Sequence, residues 1–238
     1  MDDLKHWTAR PAPARALLAG RYVRLEPLDP DRHGDGLYAA CSVADAAQRF
    51  RWLAETAPQS RAALQPWLER AAASHDPLFF AVVDAATGQV GGRQALMRID
   101  RANGVAEIGS IYWGPTIART RLATEAFFLF ARHLFDDLGY RRFEWKCNAR
   151  NEPSKRAALR FGFRYEGTFR QHMVIKGENR DTAWYAILDH EWPAIRAALE
   201  TWLSPENFDV SGRQKKRLEA MMQMERAAGR QGETDARG

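Results

Sequence analysis

Apolar and polar positions follow two periods along this chain, and the switches between them lay out the elements. Tyr22–Leu28 alternates apolar with polar residues and reads as a strand. Pro27 restricts that strand to a sheet edge or places itself in the last turn. Asp29-Pro30-Asp31 is a turn and cap, and Arg32–Cys41 reads as a helix. Ser60 caps a second helix over Arg61–Ala73, closed by His75-Asp76-Pro77. Leu78–Asp84 is an apolar strand, Ala85–Gln89 a hairpin turn, and Val90–Ile99 the returning strand. Asn103-Gly104 turns the chain again into a strand over Val105–Trp113, which completes a three-strand meander.

The second half alternates strand and helix. The strand ends at Gly114-Pro115, and Ala118–Glu125 opens a helix lasting to about Leu138. That helix is apolar on most faces, with Leu122, Ala126, Phe127, Leu129, Phe130, Leu134 and Phe135. Such a helix packs on a sheet with little exposure. Gly139 stops it, and Arg142–Cys147 forms the next strand. Asn151-Glu152-Pro153-Ser154 starts a second helix that Gly162 ends. Tyr165–Ile175 and Thr182–Leu188 are strands joined through Lys176–Asn179, and Glu191–Leu203 is a closing helix. The expected fold is α+β in three layers. A mixed, mostly antiparallel sheet of six or seven strands has the helices before residue 75 on one face. The helices after Thr120 and Asn151 lie on the other.

Past Pro205 the character changes, with a basic run at Arg213–Arg217 and then Leu218, Met221, Met222 and Met224. Residues from Ala227 onward are rich in Gly, Arg and Glu and read as disordered. The expected division is an N-terminal arm over 1–19, one domain over 20–203, and a charged tail over 204–238 that is partly helical or disordered.

Composition narrows the class. The 238 residues are 45% hydrophobic and 27% charged, as in a globular protein. No apolar run reaches the ~20 residues of a membrane span, and the N-terminus lacks a signal-peptide core. Two cysteines, Cys41 and Cys147, offer no disulfide framework, so a cytoplasmic setting is expected. The net charge of +5 is compatible with an anionic cofactor, acidic substrates or nucleic acid, and equally with a plain solvated basic surface. No His or Cys cluster has metal-ligand spacing.

Candidate chemistry gathers where strands feed helix N-termini. Free backbone N–H groups and the helix dipole make an anion pocket at such a junction. Two junctions, at Thr120 and at Asn151, lie one strand apart, a spacing that suits a long phosphate-bearing cofactor.

These segments resemble the GNAT acyltransferase superfamily, and most of all the branch of ribosomal-protein N-terminal alanine acetyltransferases. The resemblance is carried by Arg24-Leu25-Glu26-Pro27-Leu28, Glu107-Ile108-Gly109, Thr124-Glu125-Ala126 and Leu138–Arg142. Asn151-Glu152-Pro153-Ser154, Gly162–Gly167 and Arg180-Asp181-Thr182 continue it, so that it covers residues 20–203. It implies acetyl-CoA as co-substrate, no metal, and a primary amine as acceptor, on a small molecule or a protein N-terminus. In such proteins a Gln/Arg-x-x-Gly-x-Gly/Ala loop holds the pyrophosphate. Ala118-Arg119-Thr120-Arg121-Leu122-Ala123 stands there in this chain, with Arg119 and Arg121 in place of glycines. Either the backbone amides still bind phosphate with the arginines turned out, or a guanidinium binds it directly. Loss of CoA binding is the remaining reading. Thr120, Thr124 and a first-turn Glu125 argue against that loss.

By the same resemblance, Ile111, Tyr112 and Trp113 lie on a splayed strand that holds the pantetheine arm, with a bulge near Tyr112 or Trp113. Asn151 contacts that arm, and Ser154 protonates the departing thiolate. Plain helix capping is the competing account of Asn151 and Ser154. Acyl transfer to an amine needs a base, and the candidates are Glu107, Glu144, Glu166, His172 and Asp181. Glu107 is preferred, because its strand should line the thioester. Asp181 can instead pair with Arg180 in a hairpin. A glutamate serving as base on the strand after Tyr165-Glu166-Gly167 is not inherited, since Met173 stands there. Two other classes stay open: a CoA-binding protein without catalysis, and a nucleic-acid or ribosome-binding module using the tail. The tail is nearly charge-balanced after Arg217, which disfavours nucleic acid. A homodimer is compatible with the sequence.

Overall fold

The computed structural model describes residues 4–225. Strands β1 (Leu18–Ala19) and β2 (Val23–Pro27) are followed by helices α1 (Pro30–Cys41), α2 (Ala46–Arg49) and α3 (Arg61–Ala73). The meander is β3 (Leu78–Asp84), β4 (Val90–Asp100) and β5 (Val105–Trp113). Next come α4 (Arg121–Arg132), β6 (Arg142–Asn148), α5 (Glu152–Arg160), β7 (Arg164–Ile175), β8 (Glu178–Leu188) and α6 (Trp192–Leu203). Helix α4 widens into a π-helical turn over His133–Asp137, and Gly139 at φ 67° then ends it.

Caps and turns follow from local chemistry. The Asp29 carboxylate accepts from the N–H groups of Asp31 and Arg32 and starts α1, and Ser60 caps α3 through Ala63 N–H. Lys176 and Gly177 both adopt positive φ, so β7 and β8 are joined by a tight left-handed hairpin turn.

Among the described residues the sheet has eight strands in the order β1-β2-β3-β4-β5-β6-β8-β7. This exceeds the expected six or seven, because the end of the arm adds the two-residue β1 against β2. Only β5–β6 is parallel. Pro27 closes β2, where its missing N–H matters least. Strand β3 is buried on both faces. Leu78, Phe80 and Val82 join a core with Phe127 and Phe130 of α4 and Ile195 and Leu199 of α6. Phe79, Ala81 and Val83 join a second core with Leu37 of α1 and Leu64 and Leu68 of α3. Helices therefore cover both faces, divided as expected.

The compact unit runs past Leu203. Phe208, Leu218, Met221 and Met222 are buried in the α4–α6 core, and Asn207 ties this segment down through the Trp202 carbonyl and Lys216 N–H. Those apolar residues, obscured in the sequence by the neighbouring basic run, dock 204–225 as part of the domain. The arm is held as well: Trp7 Nε1 donates to the Ala102 carbonyl and Arg10 N–H to that of Arg101. The stretch expected to be disordered, from Ala227 on, lies outside the described residues. Among the described residues no helix is long and apolar enough to cross a membrane.

Candidate active site

Strands β5 and β6 pair only from Val105↔Arg142 to Ile108↔Trp145. Beyond that point they part, so that Gly109–Trp113 and Lys146–Asn148 form the arms of a fork. The cause is a bulge. Arg93↔Tyr112 is followed by Ala95↔Gly109, which leaves one extra residue in β5 at Ser110-Ile111. Ser110 takes a positive φ of 48°. Arg93, only 2% exposed, donates to the Ser110 carbonyl and to its Oγ, and pairs with Glu55. The bulge lies two residues earlier than expected, and nothing in the local sequence flagged Arg93 as its support.

Ile111, Tyr112 and Trp113 occupy the β5 arm. Tyr112 is turned toward the α1–α3 core, with its hydroxyl on the Ala40 carbonyl at 2.7 Å. Trp113 donates to Gln94 Oε1 at 3.1 Å and stands edge-on to Trp145 across the fork.

The start of α4 follows the free end of the β5 arm. Thr120 is its N-cap and accepts from Leu122 N–H at 3.1 Å. Arg119 before it has φ 65°, the left-handed conformation that explains why glycine suits this position. The N–H groups of Arg119, Arg121 and Ala123 bond to no described residue, which leaves these three donors open. The Arg121 guanidinium lies over the Tyr22 ring at 4.4 Å, and Arg119 is exposed. Thr124 is turned inward, its Oγ1 donating to the Thr120 carbonyl and accepting from Arg160. Glu125 leaves the helix start altogether. Its carboxylate accepts the N–H groups of Arg21, Tyr22 and Val23 at 2.9, 2.6 and 2.7 Å, clamping the turn into β2.

The start of α5 is arranged differently. Asn151 Oδ1 accepts from Ser154 N–H at 3.2 Å, so Asn151 does cap the helix. Ser154 Oγ accepts from Trp145 Nε1 at 2.9 Å, which holds the hydroxyl beside the β6 arm. Its own proton is left to donate, and the Cys147 thiol is within its reach.

Glu107 is not a surface glutamate. It is 3% exposed, on the sheet face away from α4. Arg98 donates to both its oxygens at 2.9 Å, and Lys146 lies 3.0 Å away. Burial pushes its carboxyl above the ordinary range, and Lys146 and Arg98 pull it partly back. Lys146 also pairs with Glu144 at 2.6 Å and lies over the Trp184 ring.

The remaining base candidates are paired as well, and with other groups. Glu144 and Glu166 both pair with Arg142. His172 is exposed and meets Thr182 Oγ1 at 3.0 Å. Asp181 does not pair with Arg180. It accepts from Gln171 N–H and Asn179 instead, because a β7 bulge brings Gln171 to it. Sequence reasoning named Glu107 without its two cations, because Arg98 reaches it through a second bulge that local spacing does not reveal.

A cleft of ≈ 470 Å³ opens on the same face as Glu107, between the segment around α2 and the β7–β8 hairpin. Lys176 bridges its two walls by donating to the Phe50 carbonyl at 2.9 Å.

A parallel strand pair that parts into a fork, followed by a helix start with open N–H donors, is the arrangement expected of an acyltransferase. A family model for the acetyltransferase (GNAT) domain matches residues 23–164, and the chain belongs to that family. A crystal structure of a GCN5-related N-acetyltransferase from Brucella melitensis is 63% identical. That match covers 92% of this chain and all of that one, with a TM-score of 0.91. A GNAT-family structure from Chromobacterium violaceum is 37% identical over 81% of this chain and 96% of that one, with a TM-score of 0.75. YdaF of Bacillus subtilis, whose name describes a ribosomal N-acetyltransferase, is 29% identical over 44% of this chain and 57% of its own length. The chain thus matches little more than half the length of that relative.

Proposed function

We propose that this protein is an acetyl-CoA-dependent N-acetyltransferase acting on a primary amine, of a small molecule or a protein N-terminus, by direct transfer in a ternary complex. The observation that carries the reading is the fork between β5 and β6 with three open N–H donors in the segment that follows its β5 arm. The open donors of Arg119, Arg121 and Ala123 suit a pyrophosphate, with Thr120 and Leu122 shaping the turn around it. Thr124 supports that turn from inside. The unpaired edges of Ile111–Trp113 and of β6 suit the amide-bearing pantetheine arm, with Asn151 at the thiol end.

In this reading the amine nitrogen attacks the thioester carbonyl carbon and the C–S bond breaks. Glu107 takes the ammonium proton through water, and Ser154 protonates the leaving thiolate. Burial raises the Cys147 thiol above its ordinary value, which supports direct transfer over an acyl-cysteine. Two buried, free cysteines fit a reducing compartment, and we place the reaction in the cytoplasm.

The test is turnover with Glu107→Gln and its pH profile. A base works deprotonated, so the rate should rise with pH through a limb above the ordinary carboxylate value of 4.5. Glu107→Gln should remove that limb and lower kcat by about 100-fold, with CoA affinity intact. Wild-type turnover with an unchanged limb would reject Glu107. No thiol release with any amine would leave a CoA-binding protein without catalysis.

A further inference from the structure

The walls of the cleft beside Glu107 are unusual in charge. Arg51, Lys176 and Arg180 all line it, and none has a carboxylate partner among the described residues. Arg51 lies over the Trp52 ring, Lys176 donates to the Phe50 carbonyl, and Arg180 Nε donates to Thr182 Oγ1 at 3.2 Å. Glu178 is the single carboxylate of the lining. Arg180 is the informative member. It is only partly exposed, and it lies close enough to Glu107 and Arg98 to feel both charges. Glu107 is already shared between Arg98 and Lys146, so Arg180 has no carboxylate of its own, and a ligand anion would offset the cost of its partial desolvation. One donor on the same sheet face is unsatisfied: the buried Trp184 indole N–H has no acceptor among the described residues. A guanidinium without a salt-bridge partner and an indole N–H without an acceptor, both on the face of the proposed base, point to an oxygen-rich, negatively charged occupant.

From this cleft we infer that the acceptor is a small amine that also carries an anionic group, a carboxylate or a phosphate, held by Arg180 with Arg51 and Lys176. The inference rests on the acetyltransfer reading for the identity of the amine, but it concerns the charge of the bound molecule and is tested without turnover. Guanidinium groups suit both anions through paired N–H donors. A polyamine or aminoglycoside would meet three like charges instead.

The experiment measures tryptophan-fluorescence titration of the full chain at saturating CoA with matched probes. Glycyl-glycine is compared with glycyl-glycinamide for the carboxylate arm, O-phosphoethanolamine with ethanolamine for the phosphate arm, and spermidine serves as the polycation. In at least one arm the anion-bearing probe should bind ten-fold or more tighter than its partner lacking the anion, and that ratio should fall with salt. Which arm responds identifies the anion. Arg180→Gln should shrink the ratio to about two-fold, and Arg180→Lys should restore part of it. Arg51→Gln, at an exposed position, gives the same test should Arg180→Gln fail to fold. Equal binding of both members in both arms would overturn the inference, as would preferential binding of spermidine. A loss of CoA affinity in Arg51→Gln as large as the loss of probe affinity would assign these cations to the cofactor and overturn it too. Failure of the transfer reading alone would look different: anion-bearing probes would still bind selectively, without thiol release.

Discussion

The two helix starts that flank the fork are built from similar residues and have opposite hydrogen-bond balances. At α4, Thr120 satisfies one N–H and leaves those of Arg119, Arg121 and Ala123 open. At α5, Glu152 N–H bonds to the Arg150 carbonyl, Pro153 has none to offer, and Asn151 takes that of Ser154. The first start therefore presents backbone charge to a ligand, and the second presents a side-chain hydroxyl. A helix N-terminus is a potential anion site only while its donors are free. The α5 start has consumed its own and contributes chemistry through Ser154 instead.

The contrast is easiest to break at α4. Arg119→Glu with Arg121→Glu places two carboxylates beside the open donors. Calorimetry should show at least about a 100-fold loss of CoA affinity, equivalent to roughly 2.7 kcal/mol. Since Arg121 also covers the Tyr22 ring, thermal unfolding should be followed alongside. Unchanged affinity would mean that the phosphates lie elsewhere.

The corresponding change at α5 should act on rate. Ser154→Ala should lower kcat by tens of fold and leave CoA affinity within about two-fold, because no open backbone donor is lost there. The opposite split, with affinity lost and kcat kept, would make the two starts alike.

Removing the caps sharpens the comparison at a smaller scale. Thr120→Ala and Asn151→Ala should each cost about 1 kcal/mol of stability in denaturant titration. A cost well above that for Thr120→Ala alone would show that the open start is strained when its one cap is gone.

The smallest effect is expected from Arg119→Gly. Relief of a left-handed backbone is worth about 1–2 kcal/mol, and the entropy of an added glycine costs about 0.5–1 kcal/mol. The net change should lie between about zero and about 1.5 kcal/mol of stabilisation. CoA affinity then separates the two accounts of the loop: it is retained if the backbone holds phosphate, and it falls if the guanidinium does.

Much of this architecture is written in local pattern. The ranges Arg61–Ala73, Leu78–Asp84 and Val105–Trp113 emerge from periodicity and punctuation alone, because capping, β-branching and alternation are short-range preferences. Both junctions at the fork, and the helix layers on either face of the sheet, follow from the same signals. Pairing across the sheet does not. The eighth strand exists because the end of the arm finds β2, and the tail joins the core because Phe208, Leu218 and Met222 find α4 and α6.

The sequence by itself determined which residue types were at hand: the two cap residues, the arginines in place of glycines, a glutamate and a serine at the ends of the right elements. Tertiary structure decided what each one does. Arg93 comes from β4 to hold the bulge that parts β5 from β6. Arg98 and Lys146 converge on Glu107, and Glu125 turns from its helix start to clamp β2. Arg180 and Asp181, adjacent in the chain, face different neighbours because strand residues alternate. Each of these contacts joins residues that short-range preference cannot pair. Burial then fixes their charge state, because a carboxylate out of water takes its character from the cations folded around it.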